Sequence, residues 1–240
     1  MLIVAEFGTV TRALLTLVRD GEGDRGLAGR ICQACVDGLD VDGASISLLT
    51  GSASREILWA TDPIAELLED LQFTLNEGAC IQAAATGTPV LVPDLHDTAE
   101  STRWPMFAAA VSEQSSVRAL FALPLQWGAV NLGVLDLYRF TPGGLSDVQW
   151  RDAVAATNTA ALMMLGQRTS QGKCGGWLDQ ALGHRAEIHQ ATGMVLVQLG
   201  ISATNALALL RAHAFVHQRL LIDVAREVVA RRLVFTQDMS

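Results

Sequence analysis

Near residue 170 the chain changes its period. Upstream, short apolar runs are broken by turn-forming residues in the manner of strands, while from Leu178 to Leu233 apolar residues return every three or four positions, the spacing of helices. A chain with such a break does not build one uniform layer. Gly166, Gly172, Gly175 and Gly176 stand at the break among polar residues, the composition of a linker. The expected organisation is residues 1–165 as one domain with N-terminal helices, 166–177 as linker, and 178–240 as a second, all-helical domain. Half of the 240 residues are apolar, enough for two cores.

Charge divides at the same place. Residues 1–171 hold 10 basic and 20 acidic side chains, and residues 172–240 hold 7 and 5, so a strongly acidic front precedes a weakly basic back. Four of the five histidines, His184, His189, His213 and His217, also lie in the back. Different partners are expected for the two halves. Met1-Leu2-Ile3-Val4-Ala5-Glu6-Phe7 has neither the basic start nor the cleavage site of a signal peptide, and no run nears the ~20 apolar residues of a membrane span. A cytoplasmic protein with no membrane partner is expected. Four cysteines, Cys32, Cys35, Cys80 and Cys174, are too few and too unevenly placed for a disulfide framework.

In the front half, residues 2–18 and Leu27–Leu39 carry apolar side chains at helical spacing. Residues 44–49 and 56–60 then read as a hairpin. Asp62-Pro63 starts a helix to about Leu71, Asn76-Glu77-Gly78 breaks the chain, and a short helix over 79–86 leads into a strand at 89–92. A helix over 104–113 and strands over 119–125 and 130–138, joined at Gly128, complete an α+β antiparallel sheet with flanking helices. Ser146-Asp147-Val148-Gln149 is a capping box for a helix that Gly166 is expected to end. Behind the linker, helices over 178–199, 203–217 and 220–233 make a three-helix bundle, with Gly200 as a left-handed cap and Ser202 as an N-cap. Its expected core includes Ile188, Ala191, Val195, Leu199, Ala206, Leu210, Ala214, Leu221, Val224, Ala225 and Val228.

Two stretches carry a family resemblance. Arg185-Ala-Glu-Ile188-His-Gln-Ala191-Thr-Gly193-Met194, followed by Gly200-Ile-Ser202, Leu210-Arg211, Ala214 and Leu221-Ile-Asp223-Val224-Ala225, resembles the ANTAR domain over 181–233. Five motifs in 40–140 resemble the GAF domain of actinobacterial regulators. They are Asp42-Gly43-Ala44-Ser45-Ile46, Leu75-Asn-Glu77-Gly78-Ala-Cys80, Thr88-Pro89-Val90-Leu91-Val92-Pro93-Asp94, Arg103-Trp104-Pro105 and Gly133-Val134-Leu135-Asp136-Leu137-Tyr138. The resemblance implies a GAF sensor for an unknown small molecule, controlling an ANTAR domain that binds paired hairpins in nascent transcripts, and hence transcription antitermination. It departs from the family pattern at Thr192, where lysine is usual, and at Gln218 and Leu220, where asparagine and a basic residue are usual.

An RNA face needs several cations on one surface, because phosphate contacts supply most of the affinity. The candidates are Arg185, His189, Thr192 and Gly193 on the first bundle helix, and Arg211, Gln218, Arg219 and Arg226 beyond it. For the sensor cavity the candidates are Cys80, at a helix N-terminus that lowers thiol pKa, and Asp94, Arg103 and Trp104 in the covering segment. Cys32-Gln33-Ala34-Cys35 lies inside an apolar helix and reads as core. His213 and His217 are one turn apart but lack a third ligand, so no metal and no cofactor is expected. Two alternatives remain. A free methionine sulfoxide reductase of the GAF type needs two cooperating cysteines where only Cys80 is in place, and a DNA-binding motif would read bases with the Ala- and Leu-rich helix 203–217. Catalysis is not expected. The long apolar helix faces at 2–18 and 146–165 lead us to expect a homodimer.

Overall fold

Alternation along the strands decides how the first 170 residues layer. In this computed structural model, which describes residues 8–17, 26–49, 55–128, 130–170, 186–217 and 219–236, β1 (Gly43–Leu49) turns Ala44, Ile46 and Leu48 to one face. Ser45 and Ser47 lie at the alternate positions. On β5 (Val130–Arg139), Leu135 and Leu137 belong to the first core, whereas Val134 and Tyr138 belong to a second. With β2 (Arg55–Ala60), β3 (Val90–Val92) and β4 (Ala119–Trp127) these strands form one sheet in the order β2-β1-β5-β4-β3, and each neighbouring pair runs antiparallel. Both faces are therefore apolar, and both are covered by helices.

One face is covered by α1 (Thr9–Leu17), α2 (Gly26–Leu39) and α7 (Asp147–Ser170), whose Leu14, Ile31, Leu39, Ala153 and Ala156 pack on Ile46, Phe121 and Leu135. A distant carboxylate ties α1 to α7. Asp152 accepts from the backbone of Val10 at 2.8 Å and of Thr11 at 3.1 Å, and from the Thr11 hydroxyl at 2.7 Å, and so caps a helix 140 residues earlier in the chain. The other face carries α3 (Pro63–Leu75), α4 (Ala79–Thr86), α5 (Thr98–Arg103) and α6 (Pro105–Gln114), with Leu68, Ala83, Trp104 and Phe107 in its core. Asp62 caps α3 as its sequence position indicated, accepting from Ile64 and Ala65 at 2.8 and 2.9 Å.

Beyond residue 185, α8 (Ala186–Leu199), α9 (Ala203–Val216) and α10 (Leu221–Val229) form the bundle. Axes of α8 and α9 meet at 107°, where Gly200 takes the left-handed conformation (φ 66°) and Ser202 accepts from the Asn205 backbone. Every expected core residue is buried there except Leu199, which is half-buried at the edge. No single helix among the described residues is long and apolar enough to cross a membrane.

Three local expectations are corrected. Gly166 does not end α7, which runs on to Ser170; this glycine has no left-handed φ, and an interior glycine costs only about 1 kcal/mol in a helix of 24 residues. α10 stops at Val229 rather than Leu233, because Arg231 adopts a left-handed φ of 57° and turns the chain so that Phe235 closes the bundle core. α3 runs a full turn beyond Leu71 before Asn76 ends it, also left-handed.

Candidate functional site

The bundle core is not built from the bundle alone. Phe73, on the outer face of α3, is 3% exposed and buried among bundle residues. Its neighbour Thr74 presents Oγ1 to the backbone N–H of Leu221 at 3.4 Å, where α10 has no cap of its own. Leu220 packs in return against the apolar cluster of the sheet domain. Two polar contacts frame this patch. His189 bonds to Glu56, which is fully buried in β2, and the Arg211 guanidinium lies over the Phe73 ring, 4.8 Å from its centre. A shallow groove beside the patch is lined by Glu66 and Asp70 of α3 and by Glu187, Asp223 and Arg226 of the bundle.

The residues expected to bind RNA are thus divided. His189 and Arg211 contact the sheet domain, as just described. Gly193, one turn beyond His189 on α8, faces open space in a hollow shared with Val197, Arg231 and Val234. Thr192 is half-buried and donates its hydroxyl back to the Ile188 carbonyl at 2.7 Å. Arg219 pairs with Glu227 at 2.8 Å, which holds the carboxyl below the usual range, and Arg226 lies 3.6 Å from Glu187 and 3.5 Å from Asp223. Arg185 and Gln218 lie outside the described residues. Sequence reasoning missed Arg231 and Arg232, exposed just past α10; the available signal was the Arg-Arg pair following the last apolar repeat.

In the sheet domain the four residues expected at a ligand cavity are not brought together. Asp94 forms a two-pronged ion pair with Arg118, at 3.0 and 2.6 Å, and that hydrogen bonding holds its carboxyl below the ordinary range. Arg103 is a surface side chain, paired with Glu100 and stacked 4.3 Å from the centre of the Trp104 ring, while Trp104 itself is core. Only Cys80 lies deep between α4 and the sheet. It is fully buried, 3.6 Å from the Ser47 hydroxyl, and its backbone N–H donates to Gln72 Oε1 at 2.7 Å. Gly78 makes that contact possible: its φ of 116° suits glycine, and a Cβ there would strike the Gln72 side chain. Glu77, in the same turn, caps α6 by accepting from Met106 and Phe107 at 3.0 and 3.1 Å.

Between α3 and the sheet lies a cavity of about 10 Å³, lined by Ser45, Leu68, Gln72, Ala79, Asp136 and Tyr138 among others, with room for about one water molecule. Glu69 is fully buried beside it, bonded by the Ser45 hydroxyl at 2.9 Å. Cys32 and Cys35 are buried on the opposite face, and burial pushes the Cys35 thiol up to about 12. His213 and His217 stack on each other, with the His217 ring bonded to the His213 carbonyl.

The sequence model of the GAF domain matches residues 26–169, and that of the ANTAR domain matches residues 178–229. None of the curated protein sequences matches the chain. Among solved structures, it resembles the GAF domain of a phosphoenolpyruvate-protein phosphotransferase from Coxiella burnetii, with a TM-score of 0.53 and 12% identity over 68% of this chain and 95% of that one. The corresponding GAF domain from Acinetobacter gives 0.52 at 12% identity, over 69% of this chain and 96% of that one. At such identity these likenesses establish the fold alone. With the five-stranded sheet, its two helical layers and the bundle behind them, the chain belongs to the GAF-domain family and carries a C-terminal ANTAR domain, the architecture of a signalling regulator.

Proposed function

We propose that this protein is a signal-responsive transcription antitermination regulator, in which the ANTAR bundle binds paired hairpins in nascent RNA and the GAF domain controls its access to them. One observation carries the control step. His189 and Arg211, both on the expected RNA face, are engaged by Glu56 and Phe73 of the sensor. A side chain that holds the bundle to the sensor is not free to meet a phosphate or stack on a base, so docking and RNA binding compete. The signal then acts by shifting the equilibrium between docked and released bundle. RNA approaches along the α8 flank, from His189 to the open backbone at Gly193, where Arg231 adds a cation. Two heads for two hairpins call for a homodimer, and a cytoplasmic site of action follows from the target.

A mobility-shift titration tests this reading. The full chain is expected to retard an RNA with two hairpins more strongly than one hairpin or a DNA duplex of equal charge. Arg226→Ala and Arg231→Ala should each weaken binding and reduce the log-log salt slope by about 0.7 to 0.9 per lost phosphate contact. Equal retardation of the duplex would favour DNA binding instead. Sulfoxide reduction with a thiol donor would overturn the non-enzymatic reading.

A further inference from the structure

Three acidic side chains from three separate elements converge inside the sensor: Glu69 of α3, Cys80 at the start of α4 and Asp136 of β5, with one carboxylate or thiol donor atom of each within 4.8 Å of the other two. Glu69 and Cys80 are fully buried, and Asp136 sits opposite Ser45 in the β1–β5 pairing. We propose that this cluster is a binding site for a thiophilic divalent cation of the zinc type, ligated by Glu69, Cys80 and Asp136.

Four features of the site support it. The donor set is one sulfur and two oxygens, which suits a zinc-type ion better than magnesium or calcium. Tetrahedral coordination at the usual metal–oxygen and metal–sulfur lengths puts donors about 3.3 to 3.8 Å apart. From at most 4.8 Å, that requires the donor atoms to close in by about an ångström. Asp136 also lines the cavity of about 10 Å³, which leaves room on its side for one solvent molecule as a fourth ligand beside three from the protein. Finally, two of the ligands already have outer partners. The Ser45 hydroxyl donates to Glu69 at 2.9 Å and the Ser47 hydroxyl lies 3.6 Å from the Cys80 sulfur, the kind of second layer that orients metal ligands. On binding, Cys80 ligates as the thiolate and its proton leaves to solvent. A divalent ion then offsets charges that three neighbouring acidic groups could not hold together in a buried site.

The site stands apart from what the bundle binds, and its test uses no RNA. The full chain, freed of metal by a chelator and dialysed, is titrated with Zn²⁺ by calorimetry and with Co²⁺ by visible and near-ultraviolet absorption. One equivalent should bind, and Co²⁺ should give the intense bands of a tetrahedral site together with a sulfur-to-cobalt charge-transfer band. Cys80→Ser should abolish that charge-transfer band. Asp136→Asn should weaken Zn²⁺ binding by more than the roughly 10- to 100-fold expected of the outer-layer variant Ser45→Ala. Since Asp136 is only half-buried, its variant keeps the test decisive if Cys80→Ser fails to fold. No saturable binding at micromolar Zn²⁺, or a charge-transfer band that persists in Cys80→Ser, would overturn the proposal.

Discussion

Replacing Phe73 by alanine should release the bundle from the sensor while leaving the sensor folded. The Phe73 ring is 3% exposed, and its apolar neighbours are bundle residues rather than the core of its own domain. Fully burying a phenylalanine is worth about 1.5 to 3 kcal/mol, and the Arg211 guanidinium over the ring adds about 0.5 to 1 kcal/mol. Allowing for partial recovery as the patch relaxes, the substitution should cost the docked state about 2 to 3 kcal/mol. That is roughly a 30- to 150-fold change in the ratio of docked to released bundle. Where the docked state dominates, RNA affinity should rise by up to the same factor, because the fraction competent to bind rises. Two readouts belong together. Binding of two-hairpin RNA should tighten, and the Leu221 amide, which faces Thr74 Oγ1, should lose protection from hydrogen exchange. An unchanged RNA affinity together with an unchanged Leu221 exchange rate, in a variant with native circular dichroism, would refute the docking account. A collapse of sensor stability would instead show Phe73 to be a sensor core residue.

Further outcomes follow from single contacts. Asp152→Ala removes the cap of α1 and strands the buried Thr11 hydroxyl, so urea unfolding of the sensor should lose about 2 kcal/mol; a loss under ~0.5 would mean α1 is held otherwise. Asp94 lies below its ordinary pKa because Arg118 bonds to it, so its contribution is present above about pH 4 and is lost as pH falls through the lowered value. Asp94→Asn should therefore flatten the acid limb of the stability curve below about pH 4, and an unaltered limb would count against that pair. Cys35, buried with its thiol at about 12, should stay unmodified by iodoacetamide at neutral pH until the chain unfolds; native-state labelling would contradict its burial. Thr192→Lys should tighten RNA binding and steepen the salt slope, and no change in either would move the RNA face elsewhere.

Most of the sheet was legible in the sequence because alternation, turns and caps agree locally. Asp62-Pro63 and the Ser146–Gln149 box appear in the structure in the roles their spacing indicates, with Gln149 Oε1 accepting from the Ser146 backbone at 2.9 Å. What escaped was set by partners distant in the chain. A phenylalanine on α3 reads as core of its own domain, and nothing local reveals that its face meets a bundle more than 100 residues later. Glu56 opens a strand as a surface charge would, yet it is fully buried against His189. The Asn76-Glu77-Gly78 turn was legible as a break, but the use of Glu77 to cap α6 depends on how two loops meet. Asp94 and Arg103 follow the family motif while their side chains pair locally with Arg118 and Glu100. α5 is too short and too polar to leave a period. The cluster of Glu69, Cys80 and Asp136 gathers residues whose separation in the chain hides any ligand pattern.

Amide hydrogen exchange on the full chain, with and without a two-hairpin RNA, tests the central claim most directly, since it reports both ends of the competition in one experiment. If the sensor holds the RNA face, saturating RNA should protect the solvent-facing flank of α8 around Gly193 and at the same time expose the docking patch. Peptides covering β2 near Glu56 and α3 from Leu71 to Leu75 should then exchange faster, by a factor approaching the docking equilibrium constant. RNA that binds tightly while the docking patch keeps its protection would contradict the claim, because bundle and sensor would then not compete for His189 and Arg211.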